Sequence, residues 1–187
     1  MGNINPNNGP FQNSKGDIVG GNGTGAQPAI ISVGSDKQVL TANSSATGGF
    51  DWENLVSSGT FSPTISFGGG STGITYSTQQ GSYKVIGPIV FFKILVTLSN
   101  KGSSTGNSFV QSLPFTSAND GFKTQSGIVP SNITFTASHI VANMNVQPNS
   151  TDAQVTCIGS GLAGNRLTDA NFTNTSSIAV SGFYFTA

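Results

Sequence analysis

Residues 89–99, IVFFKILVTLS, constrain the fold more tightly than any other stretch of this chain. Val90, Phe92, Ile94, Val96 and Leu98 recur at every second position, the period of a strand with one face on a core. A helix would place apolar residues three and four apart, and nowhere does such a pattern extend over several turns. The opposite face, Ile89, Phe91, Lys93, Leu95 and Thr97, is mixed, which predicts a core side and a second, partly covered side. The apolar run is too short to span a bilayer and carries Lys93 within it, so no membrane insertion is expected.

From residue 60 onward the rest of the chain has the same character. TISF alternates and GGGSTG turns; Ile74, Tyr76 and Thr78 alternate, Gln79-Gln80-Gly81 reads as a turn, and Tyr83 and Val85 follow. NKGSSTG is a turn, SFVQSLPF a strand, and ANDG carries a hairpin signal. SNITFTASHIVANMNV reads as one long or bent strand with Ile133, Phe135, Ala137, His139 and Val141 on one face. AQVTCIGSG is a further strand, with Cys157 at a small core position, and SIAVSGFYFTA is a last strand that must pair inside a sheet. The expected class is all-β, an antiparallel β-sandwich or jelly-roll of about eight strands at the usual spacing.

Before residue 60 the apolar residues come in short bursts: Ile18 and Val19, Ile30 and Ile31, Val39 and Leu40, Phe50 and Trp52. Turn-forming GGNGTG, VGSDKQ and ANSSATGG separate them. Bursts this short cannot build a self-sufficient sheet, but they suit a core shared with neighbouring chains. Residues 1–14 are rich in Asn, Gly and Pro and read equally as a disordered terminus or as a peptide ordered only on a larger body.

Composition narrows the partners. Charged residues make up 7% of the 187, with a formal net charge of zero; about 25% is usual. Nucleic acid is therefore not an expected partner, since binding its phosphates needs a surplus of Lys and Arg. A surface of Ser, Thr, Asn, Gln and Gly suits work outside cells. MGNINPNNGPF has neither the basic start nor the apolar stretch of an export signal, so assembly onto a particle released by lysis is the expected route outward. The single cysteine rules out an intrachain disulfide.

Residues that could carry chemistry are few. GGNGTG places Ala26 where a dinucleotide-binding loop needs its third glycine, and it lacks the Gly-Lys-Ser/Thr of a phosphate loop. His139 is the sole histidine and lies in a strand pattern without a G-x-S-x-G elbow. Asp51 and Glu53 flank Trp52 on one face, the only close carboxylate pair to weigh for glycoside hydrolysis, yet they end a Gly-rich connector. No catalytic residue, metal site or cofactor is expected, and the chain is not read as an enzyme. Recognition remains. The aromatics are read as core, so the loop residues Asn119, Asp120, Phe122, Asn165 and Arg166 are the candidate contacts. Arg166, the sole arginine, either caps its loop or pairs with Asp169.

Two stretches carry a family resemblance. KGDIVGGNGTGAQPAIISVGSDKQVLTANSSATGGFDWE resembles a module recurrent in phage and other viral tail-fibre proteins, with Lys37 replacing the glycine usual in its turn. FGGGSTGITY, GSYKVIG, the apolar strand, KGSSTG and LPF resemble the head domain that often follows; Pro88 departs from it at what reads as the first residue of the strand. The resemblance implies a homotrimer with a slender, intertwined Gly-rich neck and a β-sandwich head. On this reading residues 1–14 attach to other virion proteins, residues 15–59 form the neck, and residues 60–187 form the head. The trimeric core of the neck would be built from Ile18, Val19, Ile30, Ile31, Val39 and Leu40. The implied role is adsorption of a virion to a host surface polysaccharide or other glycan. The alternative is a purely structural or decorating virion protein.

Overall fold

The computed structural model describes residues 14–26, 28–135, 139–159 and 164–186, without the side chains of residues 139 and 140. The attachment segment expected at residues 1–14 thus lies, except for Ser14, outside the described residues. The chain divides into two compact units, Met1–Leu55 and Val56–Ala187.

Among its described residues, the first unit holds two separate antiparallel pairs. β1 (Ile18–Gly20) pairs with β2 (Ala29–Ile31), setting Ile18 opposite Ile31 and Val19 opposite Ile30. β3 (Gln38–Ala42) pairs with β4 (Phe50–Asn54), setting Val39 opposite Glu53 and Leu40 opposite Trp52. Just before β1, the buried carboxylate of Asp17 accepts the backbone N–H groups of Ser14 at 3.0 Å and Val33 at 3.3 Å. Few large apolar side chains are enclosed, as expected of two-stranded ribbons, which are marginal alone in water.

Among the described residues, the second unit is an antiparallel sandwich of ten strands, two more than the spacing suggested. They are β5 (Ser57–Phe61), β6 (Thr64–Phe67), β7 (Ile74–Ile86), β8 (Ile89–Lys101), β9 (Ser108–Gln111), β10 (Thr124–Ile133), β11 (His139–Val146), β12 (Ala153–Gly159), β13 (Asn165–Arg166) and β14 (Phe172–Phe185). The first layer runs β5-β7-β8-β14-β10; the second runs β10-β11-β12-β9-β6, with β13 also on β12. β10 belongs to both layers. Its residues 124–127 pair with β11 and its residues 128–133 with β14, the corner by which one strand passes between packed sheets. Pro130 falls where β10 pairs with β14 alone, so its missing N–H breaks no second ladder.

The inward face predicted for β8 is the centre of the core: Val90, Phe92, Ile94, Val96 and Leu98 are each at most 3% exposed. They meet Ile65 and Phe67 of β6, Val110 of β9, Met144 and Val146 of β11, and Val155 and Cys157 of β12. The ring of Phe67 packs edge-on against that of Phe172 at 5.1 Å. β14 lies between β8 and β10, so the chain's last strand is interior to its sheet, as its aromatics require.

Four local expectations are corrected. Gln79-Gln80-Gly81 does not turn; it lies within the continuous β7, and Gly81 is there because the Phe61 ring sits 2.6 Å from where a Cβ would stand. ANDG makes no hairpin. Residues 112–123 are a long connection between β9 and β10, strands that do not pair, and Asp120 instead closes a turn by accepting the Phe122 N–H at 3.0 Å. The supposed long strand through residue 139 is two strands, β10 and β11, paired to one another. Pro88 does not begin a strand. It is the second residue of the two-residue β7–β8 hairpin loop, after Gly87 at φ 55°, the glycine-first arrangement of a type II′ turn.

Candidate functional site

The loop of residues 112–123 presents three of the sequence candidates together. It is held by backbone bonds from Ser117 N–H to the Ser150 carbonyl (3.0 Å), Ala118 N–H to the Phe185 carbonyl (2.7 Å) and Asn149 N–H to the Ala118 carbonyl (3.2 Å). Beyond these anchors Asn119 and Asp120 are exposed, and Phe122 stands 79% exposed. Asp120 and Phe122 border a concavity of about 150 Å³ that Phe185 and Val146 also line. An exposed aromatic beside a carboxylate on a braced loop can stack on an apolar ring face and accept hydrogen bonds from hydroxyl groups.

Asn165 and Arg166 lie elsewhere. They form the short β13, exposed, paired with Cys157 and Thr156 of β12, whereas the edge of β12 nearer the loop is taken by β9 at Ala153 and Gln154. The five loop candidates are therefore two separate groups. Asp169, the possible partner of Arg166, instead pairs with Lys101 Nζ at 3.6 Å and accepts the Gly106 N–H at 2.8 Å.

The outer face of the first layer carries a surface that the candidate residues did not include. In register across four strands lie Ser58, Lys84, Phe91 and Phe183, and in the next row Thr60, Ser82, Lys93 and Ser181. These eight residues border a shallow groove of about 650 Å³. Phe91 and Phe183 are 43% and 45% exposed, with ring centres 6.1 Å apart, and Phe185 stands edge-on to Phe183 at 6.0 Å. The signal was present in FYF near the chain end, where Tyr184 points inward and its two neighbours outward, but the register that brings Phe183 beside Phe91 spans some ninety residues.

Three further aromatics are tied down. Tyr184 is fully buried, and burial pushes its hydroxyl up to about 12. Burial also raises that of Tyr76, whose oxygen accepts the Ile65 N–H at 2.8 Å. Trp52 donates its indole N–H to the Ser32 carbonyl at 2.8 Å.

In the first unit, Val19, Ile30 and Val39 are 41%, 37% and 36% exposed in the single chain, and Ile18, Ile31 and Leu40 are half-buried. Asp51 and Glu53 both lie exposed on β4, and Asp51 Oδ1 accepts the Trp52 N–H at 2.8 Å. The backbone of His139 opens β11 opposite Gly159. Among the described residues no three His, Cys, Asp or Glu side chains gather as a metal site would require, and no helix is long and apolar enough to cross a membrane.

No known protein family and no curated protein matches the sequence. Among solved structures, the crystal structure of the Dettilon tailspike protein is similar to this chain, with a TM-score of 0.56 and 23% identity. The similarity covers 70% of this chain and 24% of the tailspike, so the likeness is one of fold to part of a longer protein.

Proposed function

We propose that this chain is a fibre protein of a phage virion that recognises a glycan on the host surface. The fold shared with part of the Dettilon tailspike protein carries the reading, and the loop bearing Phe122 supplies a contact surface. In this reading residues 1–14 attach to other virion proteins, residues 15–55 form a trimeric neck, and residues 56–187 form the head, since β5 already begins at Ser57 rather than at residue 60. Support for the neck comes from Val19, Ile30, Val33, Val39, Phe50 and Leu55, all large, apolar and exposed in a single chain. Three chains meeting on an axis would bury them. Three copies per fibre would also strengthen weak sites, by about 10²–10⁴ where geometry allows simultaneous engagement.

The role is adsorption rather than cleavage, since recognition needs only braced, exposed contacts of the kind the 112–123 loop presents. Purified intact chain should block adsorption of the parent phage to its host, and a Phe122→Ala, Asp120→Ala variant should block it at least about tenfold less well, as loss of an exposed aromatic anchor implies. No blocking by the intact chain, together with loss of particle assembly when residues 1–14 are deleted, would favour the structural alternative. Release of oligosaccharide from host envelopes would overturn the non-enzymatic reading.

A further inference from the structure

We infer that the groove on the outer face of the first layer is a binding site for a carboxylated saccharide, with Lys84 and Lys93 meeting the carboxylates and Phe91 and Phe183 stacking on the ring faces. The ligand class rests on the glycan-binding reading above; the groove and its charge do not.

Three features carry it. The first is register: Lys84 lies directly across from Phe91, Phe91 from Phe183, and Lys93 from both Ser82 and Ser181. Directly paired residues on one sheet face stand about 5 Å apart and diagonal ones about 7–8 Å, so both cations reach past a ring into the same groove. The second is charge. Lys84 and Lys93 are the only charged residues lining the groove, and none of β5, β7, β8, β10 and β14 contains an Asp or Glu. An anionic occupant is therefore complementary to the whole face. Packing this face on the same face of a second copy would bring uncompensated lysines together, an arrangement that burial penalises.

The third feature is the pairing of exposed rings with short hydroxyls. Phe91 and Phe183 present tilted rings, while Ser58, Thr60, Ser82 and Ser181 line the floor and edge. Hydroxyls both donate and accept, which suits a ligand dense in hydroxyl groups, and the ring faces suit the C–H faces of a sugar. A purely apolar peptide would leave both ammonium groups without a partner.

The test uses the intact chain and a panel of immobilised galacturonate, glucuronate, mannuronate and sialate oligosaccharides, each beside its carboxyl-reduced neutral counterpart. At least one carboxylated member should bind, with at least about tenfold weaker binding after carboxyl reduction or in the Lys84→Gln, Lys93→Gln variant, a difference of about 1.4 kcal/mol. Binding should weaken with added salt. Lys93→Arg should retain it, and Lys101→Gln, which removes a lysine that does not line the groove, should leave it within about twofold, as separate sites act independently. Circular dichroism of the double variant checks that the fold survives. No binding to any carboxylated member, or equal binding by the double variant, overturns the site. So does protection of Lys93 from acetylation in the intact chain, which would mean that a second copy covers the face. Adsorption to host cells that the double variant retains in full overturns the groove and leaves the receptor reading standing. Oligosaccharide binding without host adsorption does the reverse.

Discussion

The Tyr184 hydroxyl holds both backbone groups of Phe115, accepting its N–H at 3.1 Å and donating to its carbonyl at 3.0 Å. One buried side chain near the end of the chain thereby fixes the start of the 112–123 loop, 69 residues earlier. Tyr184→Phe should destabilise the chain by about 1–3 kcal/mol, because it leaves a donor and an acceptor without their partner. The pH dependence has a definite sign. Burial raises the hydroxyl to about 12 in the folded chain, against about 10 when unfolded. Its contribution is therefore complete below pH ~10 and lost as pH rises toward 12. Thermal melts of the two proteins from pH 8 to 12 should show a gap that closes with rising pH; a constant gap would contradict this.

Lys37 occupies the left-handed region at φ 74°, in the turn closed by Gln38 N–H to the Ser35 carbonyl at 3.2 Å. A positive φ at the third residue is what a type II turn requires, and glycine is its usual occupant. The left-handed conformation costs an L-residue about 1–2 kcal/mol, partly offset by the greater backbone entropy that glycine loses on folding. Lys37→Gly should accordingly stabilise the first unit by about 0.5–1 kcal/mol. Urea unfolding of the intact chain, followed by the fluorescence of Trp52, would read it, and a lowered midpoint would refute it.

Gly34 lies beneath the Trp52 indole, where a Cβ would come within 2.6 Å of the ring. The indole must stay there for its N–H to reach the Ser32 carbonyl at 2.8 Å. Gly34→Ala should push the ring aside, break that bond and cost about 1–3 kcal/mol, the usual penalty for overpacking. Trp52 is the sole tryptophan, so displacement toward water should red-shift the emission of the whole chain. An unchanged spectrum would show that the backbone yields instead.

Local patterning in the sequence marked some of these features and concealed others. The period of two in β8 pointed to a buried face because alternation is a property of one strand, and all five inward residues are in the core. The break between β10 and β11 was hidden because SNITFTASHIVANMNV contains no Gly or Pro to punctuate it. Gly81 misled in the opposite sense: its absent side chain makes room for Phe61, a partner whose position only the β5–β7 pairing determines. ANDG marked a turn, as its chemistry suggests, but not the hairpin read from it, because β9 and β10 do not pair. The groove was not readable, since Lys84, Phe91 and Phe183 become neighbours only through the register of three strands.

Asp169 bonds in two ways, and they differ in worth. Its carboxylate accepts the Gly106 N–H at 2.8 Å and faces Lys101 Nζ at 3.6 Å, with the two side chains 20% and 24% exposed. Lys101 Nζ also lies 5.7 Å from the centre of the Phe67 ring. A partly exposed ion pair contributes about 0–1 kcal/mol, whereas an accepted backbone N–H holds the 102–107 loop to the segment before β14. Lys101→Ala should therefore cost no more than about 1 kcal/mol. Asp169→Ala should cost more, about 1–3 kcal/mol, because the Gly106 N–H loses its partner. Asp169→Asn, which keeps an acceptor oxygen and removes the charge, should behave like Lys101→Ala. Chemical denaturation of the three variants at low and high salt decides between the two bonds: if Asp169→Asn is as damaging as Asp169→Ala, the ion pair rather than the backbone bond holds the loop.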